Sequence, residues 1–212
     1  MILPLFLLLP AAGAPDLQAV VVAGTTTKGM PFEGRITRVA GSVLQMESVI
    51  SGTAPQIGLP MEGISSLRLV VRQATDRTLL EMLEPFLPVL PLLDGESLDR
   101  LVGELEEAAA RGEWRFLYQW SGRLLGTLRD PGHASRIALL RAWALLELGL
   151  REEAVREAGK LAGKTDPLTA PSSLCHLMAR LETDPDIRKF WSLLPSLQIP
   201  ANPQPTTYDL RP

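Results

Sequence analysis

Apolar and polar residues change rhythm partway along the chain. Up to Val71 the apolar positions tend to alternate with polar ones, and from Leu79 they recur every three or four residues. Alternation marks half-buried strands, and the longer period marks helices packed on one side. Residues 17–23 (LQAVVVA), 32–39 (FEGRITRV), 43–50 (VLQMESVI) and 64–71 (ISSLRLVV) therefore predict strands, with a short fifth piece at 56–59. Gly41-Ser42 is a hairpin signal. Residues 24–29 predict a turn, and Gly34 predicts a bend or bulge within its strand. In the last strand Leu67, Leu69 and Val71 are expected to face inward. Short strands at this spacing predict a small antiparallel barrel or curled sheet.

The helical part opens with Asp76 as an N-cap and a helix ending near Glu84. Pro85, Pro88 and Pro91 then fall three apart, each removing a backbone donor, so an extended apolar segment is expected. A PxxP-type ligand for SH3 or WW modules is the functional alternative there. Phe86, Leu87, Val89 and Leu90 argue for burial instead. After Asp94-Gly95 one helical stripe runs from Leu98 to Ala109 and stops at Gly112. A second carries Trp114, Leu117, Trp120, Leu124 and Leu128 and is expected to end at Asp130-Pro131-Gly132. Residues 138–161 predict a central helical hairpin turning at Leu148-Gly149. Its first half is apolar on nearly every side, with Trp143 in the middle, and so requires covering on more than one face. Pro171 and Asp184-Pro185 start two further helices. The fold class is α+β, a small β module followed by an α-solenoid of about three helical hairpins. The expected organisation is a leader over 1–14, the β module over 15–72, a helix and proline-rich bridge over 73–96, the helical domain over 97–198 and an irregular tail over 199–212.

Composition sharpens this. A hydrophobic fraction of 46% with 21% charged residues belongs to a folded chain. A net charge of −3 and pI near 5.5 argue against a nucleic-acid partner, which demands a basic footprint. The opening MILPLFLLLPAAGA joins a short apolar run to small residues, as in a secretory signal peptide too short to span a membrane. Cleavage is expected after Gly13 or Ala14. The chain is thus expected to be exported, periplasmic or extracellular, with no integral span once cleaved.

The best internal repeat is A-W-A-L-L-E-L-G-L-R-E-E-A, residues 142–154, with Gly149 at the turn and Ala154 where paired helices approach. A-A-R-G-E-W at 109–114 places Gly112 similarly, 37 residues earlier. On these residues the chain, over about 97–195, resembles a degenerate tetratricopeptide repeat protein. Ala158-Gly159 departs from that pattern, where a bulky aromatic is common. The β segment looks like the strand order of Sm-like or SH3-like barrels. It lacks the Asp and Asn of the RNA-binding Sm family at 40–43, so only the shape carries over. The repeat resemblance implies a concave surface, lined by the first helix of each hairpin, that binds a protein or peptide.

Candidate chemistry is sparse. Cys175 and His176 are adjacent on a helix and so point about 100° apart, which does not make a nucleophile–base pair. With His133 they form no metal motif. The 24–29 stretch (GTTTKG) lacks the phosphate-loop pattern. Glu104, Glu106 and Glu107 read as a solvated face. No catalytic, cofactor-binding or metal-ligating residue is expected, and the chain is expected not to be an enzyme. The residues expected to meet a partner are Arg100, Glu104, Trp120, Arg136 and Arg141. Other readings are a cell-wall or glycan-binding module on the β segment, where Phe32 is the aromatic available, and an enzyme accessory subunit.

Overall fold

The computed structural model describes residues 21–48, 56–70 and 79–197. The expected leader, the strand start at Leu17, Val71, the cap Asp76 and the tail over 199–212 lie outside the described residues. The chain divides into two compact units, Met1–Leu101 and Val102–Pro212.

In the first unit five strands form one antiparallel sheet: β1 (Val21–Thr26), β2 (Pro31–Ala40), β3 (Val43–Ser48), β4 (Gln56–Pro60) and β5 (Ile64–Val70). Their order is β4-β3-β2-β1-β5, an open sheet and not a closed barrel. Alternation buries Leu44 and Met46 on β3 and Leu67 and Leu69 on β5. Two expectations about glycine are corrected. The turn after β1 starts later than Gly24, which stays in the strand. A Cβ there would lie 2.5 Å from the Ser66 carbonyl oxygen and 2.6 Å from the Phe32 ring. Nor does Gly34 bulge; it keeps its pairs Val22 and Ser48. The β2 register instead shifts between Ile36 and Arg38. The extra residue, Thr37, donates its hydroxyl to the Gln45 carbonyl at 3.1 Å.

After α1 (Leu79–Leu83) the proline segment Glu84–Leu92 winds as 3₁₀ turns, kinked at Phe86, and is not extended as the sequence predicts. The spacing explains this. Beyond the kink, three residues per turn sets Pro88 and Pro91 on one edge, where the missing donors cost least. Phe86, Val89 and Leu90 are buried and Leu87 is half-buried, so the expected burial holds for three of the four. Leu93 then bridges to Leu67, and the Asp94 amide donates to the Leu67 carbonyl at 2.8 Å. Here α2 (Gly95–Ala110) begins, and the division between the two units falls within it. Asp94 Oδ1 accepts from the Ser97 amide, and buried Ser97 accepts the Leu69 amide at 2.9 Å.

The second unit continues with α3 (Trp114–Leu125), α4 (Pro131–Glu147), α5 (Arg151–Ala162), α6 (Ser172–Leu181) and α7 (Pro185–Leu197). Asp130-Pro131 starts α4 and does not end α3, because the Asp130 carboxylate accepts the His133 amide at 2.8 Å with proline at the first position. Two turns share one geometry. Gly112 and Gly149 have φ of +74° and +81°. The next residue's amide reaches back to Ala108 in one turn and to Leu145 in the other, each at 2.9 Å. The 12-residue helices α3 and α5 follow, starting at Trp114 and Arg151. The turn from α6 to α7 has no such glycine; Glu182 leaves in extended conformation and Asp184 caps α7. Ala142 and Leu145 of α4 pack with Ala154 and Ala158 of α5 and Leu177 and Leu181 of α6. The two alanines on α5 set the close spacing of that pair.

Candidate functional site

Helix α4 is where sequence and structure part most usefully. Its buried residues are Ile137, Ala142, Ala144 and Leu145, facing α3 and α5. The opposite stripe, Gly132, Ser135, Arg136, Leu139, Leu140 and Trp143, follows i, i+3, i+4, i+7 spacing and lines a groove of about 680 Å³. That volume lies in the range of ligand pockets. Trp143, expected to be buried, is half-buried on this wall, with the Arg180 guanidinium 5.3 Å from its ring centroid. An apolar helix covered on every side has no reason to be amphipathic. One covered on all sides but one leaves an apolar trough.

The other walls come from Glu106 and Ala109 of α2, Trp114 at the start of α3, Leu161 at the end of α5, and Leu174 near the start of α6. The first helices of the three hairpins thus contribute side by side. Arg136 and Glu106 meet across the groove in an ion pair at 2.9 Å, each half exposed. The Ser135 hydroxyl donates to the Pro131 carbonyl at 2.8 Å, and the Thr165 hydroxyl to the Leu161 carbonyl at 2.9 Å. The lining also includes Ser173 and the indole N–H donors of Trp114 and Trp143.

Of the five residues expected at a partner surface, Arg136 lines the groove. Glu104 lies partly buried on α2 outside the lining. Arg100 belongs to the first unit, paired with Glu96 at 2.6 Å and reaching the Leu69 carbonyl at 3.5 Å. Trp120 is 5% exposed, packed with Phe116 and under the Arg123 guanidinium, so it is a packing residue. Arg141 lies over the Tyr118 ring at 4.4 Å and donates to the Tyr118 carbonyl at 2.9 Å, bracing α4 against α3. Leu139, Leu140, Trp143 and Trp114 were missed as lining residues. The signal was present in the α4 stripe, which stays apolar on the side where Ser135 and Arg136 introduce polarity.

Cys175 is wholly buried among Ala170, Leu174, Trp191 and Leu194, and that burial pushes its thiol pKa up. His176 beside it is exposed. His133 holds its ring nitrogen 2.6 Å from Asp130, and the His133 amide and ring together hold the Asp130 carboxyl below the usual range. Among the described residues there is no cluster of three or more metal-ligating side chains, and no helix is long and apolar enough to cross a membrane. In the sheet, Phe32 is partly buried against Gly24, so it offers no flat exposed ring to a sugar. Comparison with protein-family models, with curated protein sequences and with solved structures gives no match.

Proposed function

We propose that the chain is an exported, non-enzymatic interaction protein that holds a protein partner in the groove along α4. One observation carries this reading: a half-covered apolar stripe on an otherwise buried helix, walled by the first helices of successive hairpins. Tetratricopeptide-like repeats fit the same reading. The Gly112 and Gly149 turns are alike, and the helices that follow them have one length. Export rests on the apolar run and small residues at the start of the sequence.

The test is recovery of a stoichiometric partner from an envelope fraction by the intact protein, compared with Leu140→Glu. Leu140 is half-buried on the groove wall, so a charge there disturbs the groove more than the fold. The partner should be retained by wild type and lost by the variant. Equal recovery by both, or no partner from any fraction, overturns the reading. N-terminal sequencing of the mature protein tests export separately: a start at Ala14 or Pro15 supports it, and an intact Met1 opposes it.

A further inference from the structure

We infer that the α6–α7 hairpin opens separately from the rest of the second unit, carrying one wall of the α4 groove with it, and that Arg151 and Arg180 are the clasps that hold it shut. The inference concerns how this hairpin is attached and stands whatever the groove holds. In stacked hairpins each one is stabilised by its own packing and by contact with its neighbours. Among the described residues α6–α7 is the last hairpin, with α4–α5 on one side and none beyond.

The hairpin has a small core of its own. Leu174 and Cys175 of α6 pack with Trp191 and Leu194 of α7 and with Ala170. Across to the neighbouring hairpin, Leu177 and Leu181 meet Ala142, Leu145, Ala154 and Ala158. Three of those four are alanines, so the contact removes less apolar surface from water than larger side chains would. Helix α7 packs chiefly on α6 and on the short 3₁₀ turn Pro167–Thr169, and its Ile187, Phe190 and Leu193 are exposed. Residues 163–171 join the hairpin to α5 and form the longest connection between the described helices of this unit. A segment with its own core, a thin apolar contact and a long tether is one that opens before the whole molecule unfolds.

The clasps lie at the opposite end of α6 from that tether. Arg151, the first residue of α5, donates to the carbonyls of Arg180 and Leu181 at 3.2 and 2.7 Å. These belong to the last turn of α6, where carbonyls lack intrahelical donors and a cation suits the helix dipole. Arg180 reaches the other way, pairing with Glu147 at the end of α4 at 2.6 Å and standing 5.3 Å from the Trp143 ring centroid. Opening the hairpin takes Pro171, Ser173 and Leu174 out of the groove wall and removes the guanidinium from Trp143. The groove is therefore complete only while the clasps are closed.

Cys175, wholly buried and the one cysteine of the chain, reads the opening in the intact protein. Its reaction with dithiobis(nitrobenzoate) is followed in rising urea below the unfolding transition, beside global unfolding by circular dichroism. Labelling should rise with urea about half as steeply as global unfolding or less, because a hairpin exposes less surface than the whole chain. Arg151→Met and Arg180→Met, which keep much of each stem, should each speed labelling in the absence of urea about threefold or more. Ile137→Val, buried in α4 outside both clusters, lowers global stability and should leave that labelling rate unchanged. By hydrogen exchange the amides of α6 and α7 should open together, ahead of those of α3 and α4. Labelling with the full urea slope, accelerated by Ile137→Val as far as stability falls, means that Cys175 is reached only by global unfolding and overturns the inference. A flat urea response, in which the reagent arrives without the hairpin opening, overturns it too, as does unchanged labelling in both arginine variants.

Discussion

Gly149 and Gly159 lie ten residues apart in the sequence, and replacing each by alanine should move stability in opposite directions. At Gly149 the backbone is left-handed, with φ +81°, and a new Cβ would meet nothing within 4 Å. Space is therefore not the issue, and the turn's backbone hydrogen bonds survive. What remains is the cost of an L-residue in that conformation, about 1–2 kcal/mol. Alanine's smaller unfolded-state entropy offsets about 0.4–1 kcal/mol of it. The net is a destabilisation of about 1 kcal/mol. Gly159 sits inside α5 in ordinary helical geometry, again with nothing within 4 Å of an added Cβ. Alanine there should stabilise by about 0.5–1 kcal/mol. In a chain of this size each change corresponds to about 2–4 °C per kcal/mol in the thermal midpoint. Thermal and urea unfolding followed by far-ultraviolet circular dichroism read both. The sites are about 12 Å apart along the helix, so the double variant should return close to wild type. Shifts of the same sign, or a neutral Gly149→Ala, would refute the assignment of the strain to the turn backbone.

Trp143→Ala should cost less than the ~3–5 kcal/mol of a fully buried aromatic, because one side of its ring already faces the groove; a loss in that full range on chemical denaturation would mean the wall is closed. Ser97→Ala leaves the buried Leu69 amide without its acceptor, a cost of about 1–3 kcal/mol, and hydrogen exchange at Leu69 should accelerate. Unchanged exchange there would show that another group takes the amide. Asp130 has a depressed folded pKa, held by the His133 amide and ring, so its contribution is present above the ordinary aspartate value of about 3.9 and is lost as pH falls through the folded value. Thermal midpoints measured across acid pH should fall less steeply for Asp130→Asn than for wild type. Parallel curves would remove Asp130 from the account.

The α+β class and the strand pieces were legible because strand and helix periods differ and because Gly41, Gly112 and Gly149 punctuate the chain where it turns. Where the reading failed, a residue type had two uses. Gly24 and Gly34 look like turn and bulge residues but are there for close approach of chains, which depends on neighbours distant in sequence. Asp130-Pro131 reads equally as the end of one helix or the start of the next. Prolines three apart forbid α-helix, yet they fit a tighter helix as well as an extended chain. The candidate groove was half legible. Arg136 is on its wall, while Arg141 and Trp120 point to other packing contacts that no one-dimensional charge pattern separates from a surface. An apolar helix announces that it must be covered. Which stripe is left open depends on where α2, α5 and α6 stop.

The tethering of β5 has a bearing on self-association. A sheet edge invites a foreign strand wherever its amides and carbonyls stand unpaired. On the β5 side the chain has already placed Leu93 and Asp94 against Leu67, and Ser97 and Arg100 against Leu69. The segment leading there carries a proline at every third position, and Pro85 and Pro88 are exposed. The opposite edge, β4, is five residues long and ends in Pro60. Strand addition among the described residues thus meets an edge partly covered at Leu67 and Leu69 on one side and a five-residue strand on the other, in a sheet that is not closed into a ring.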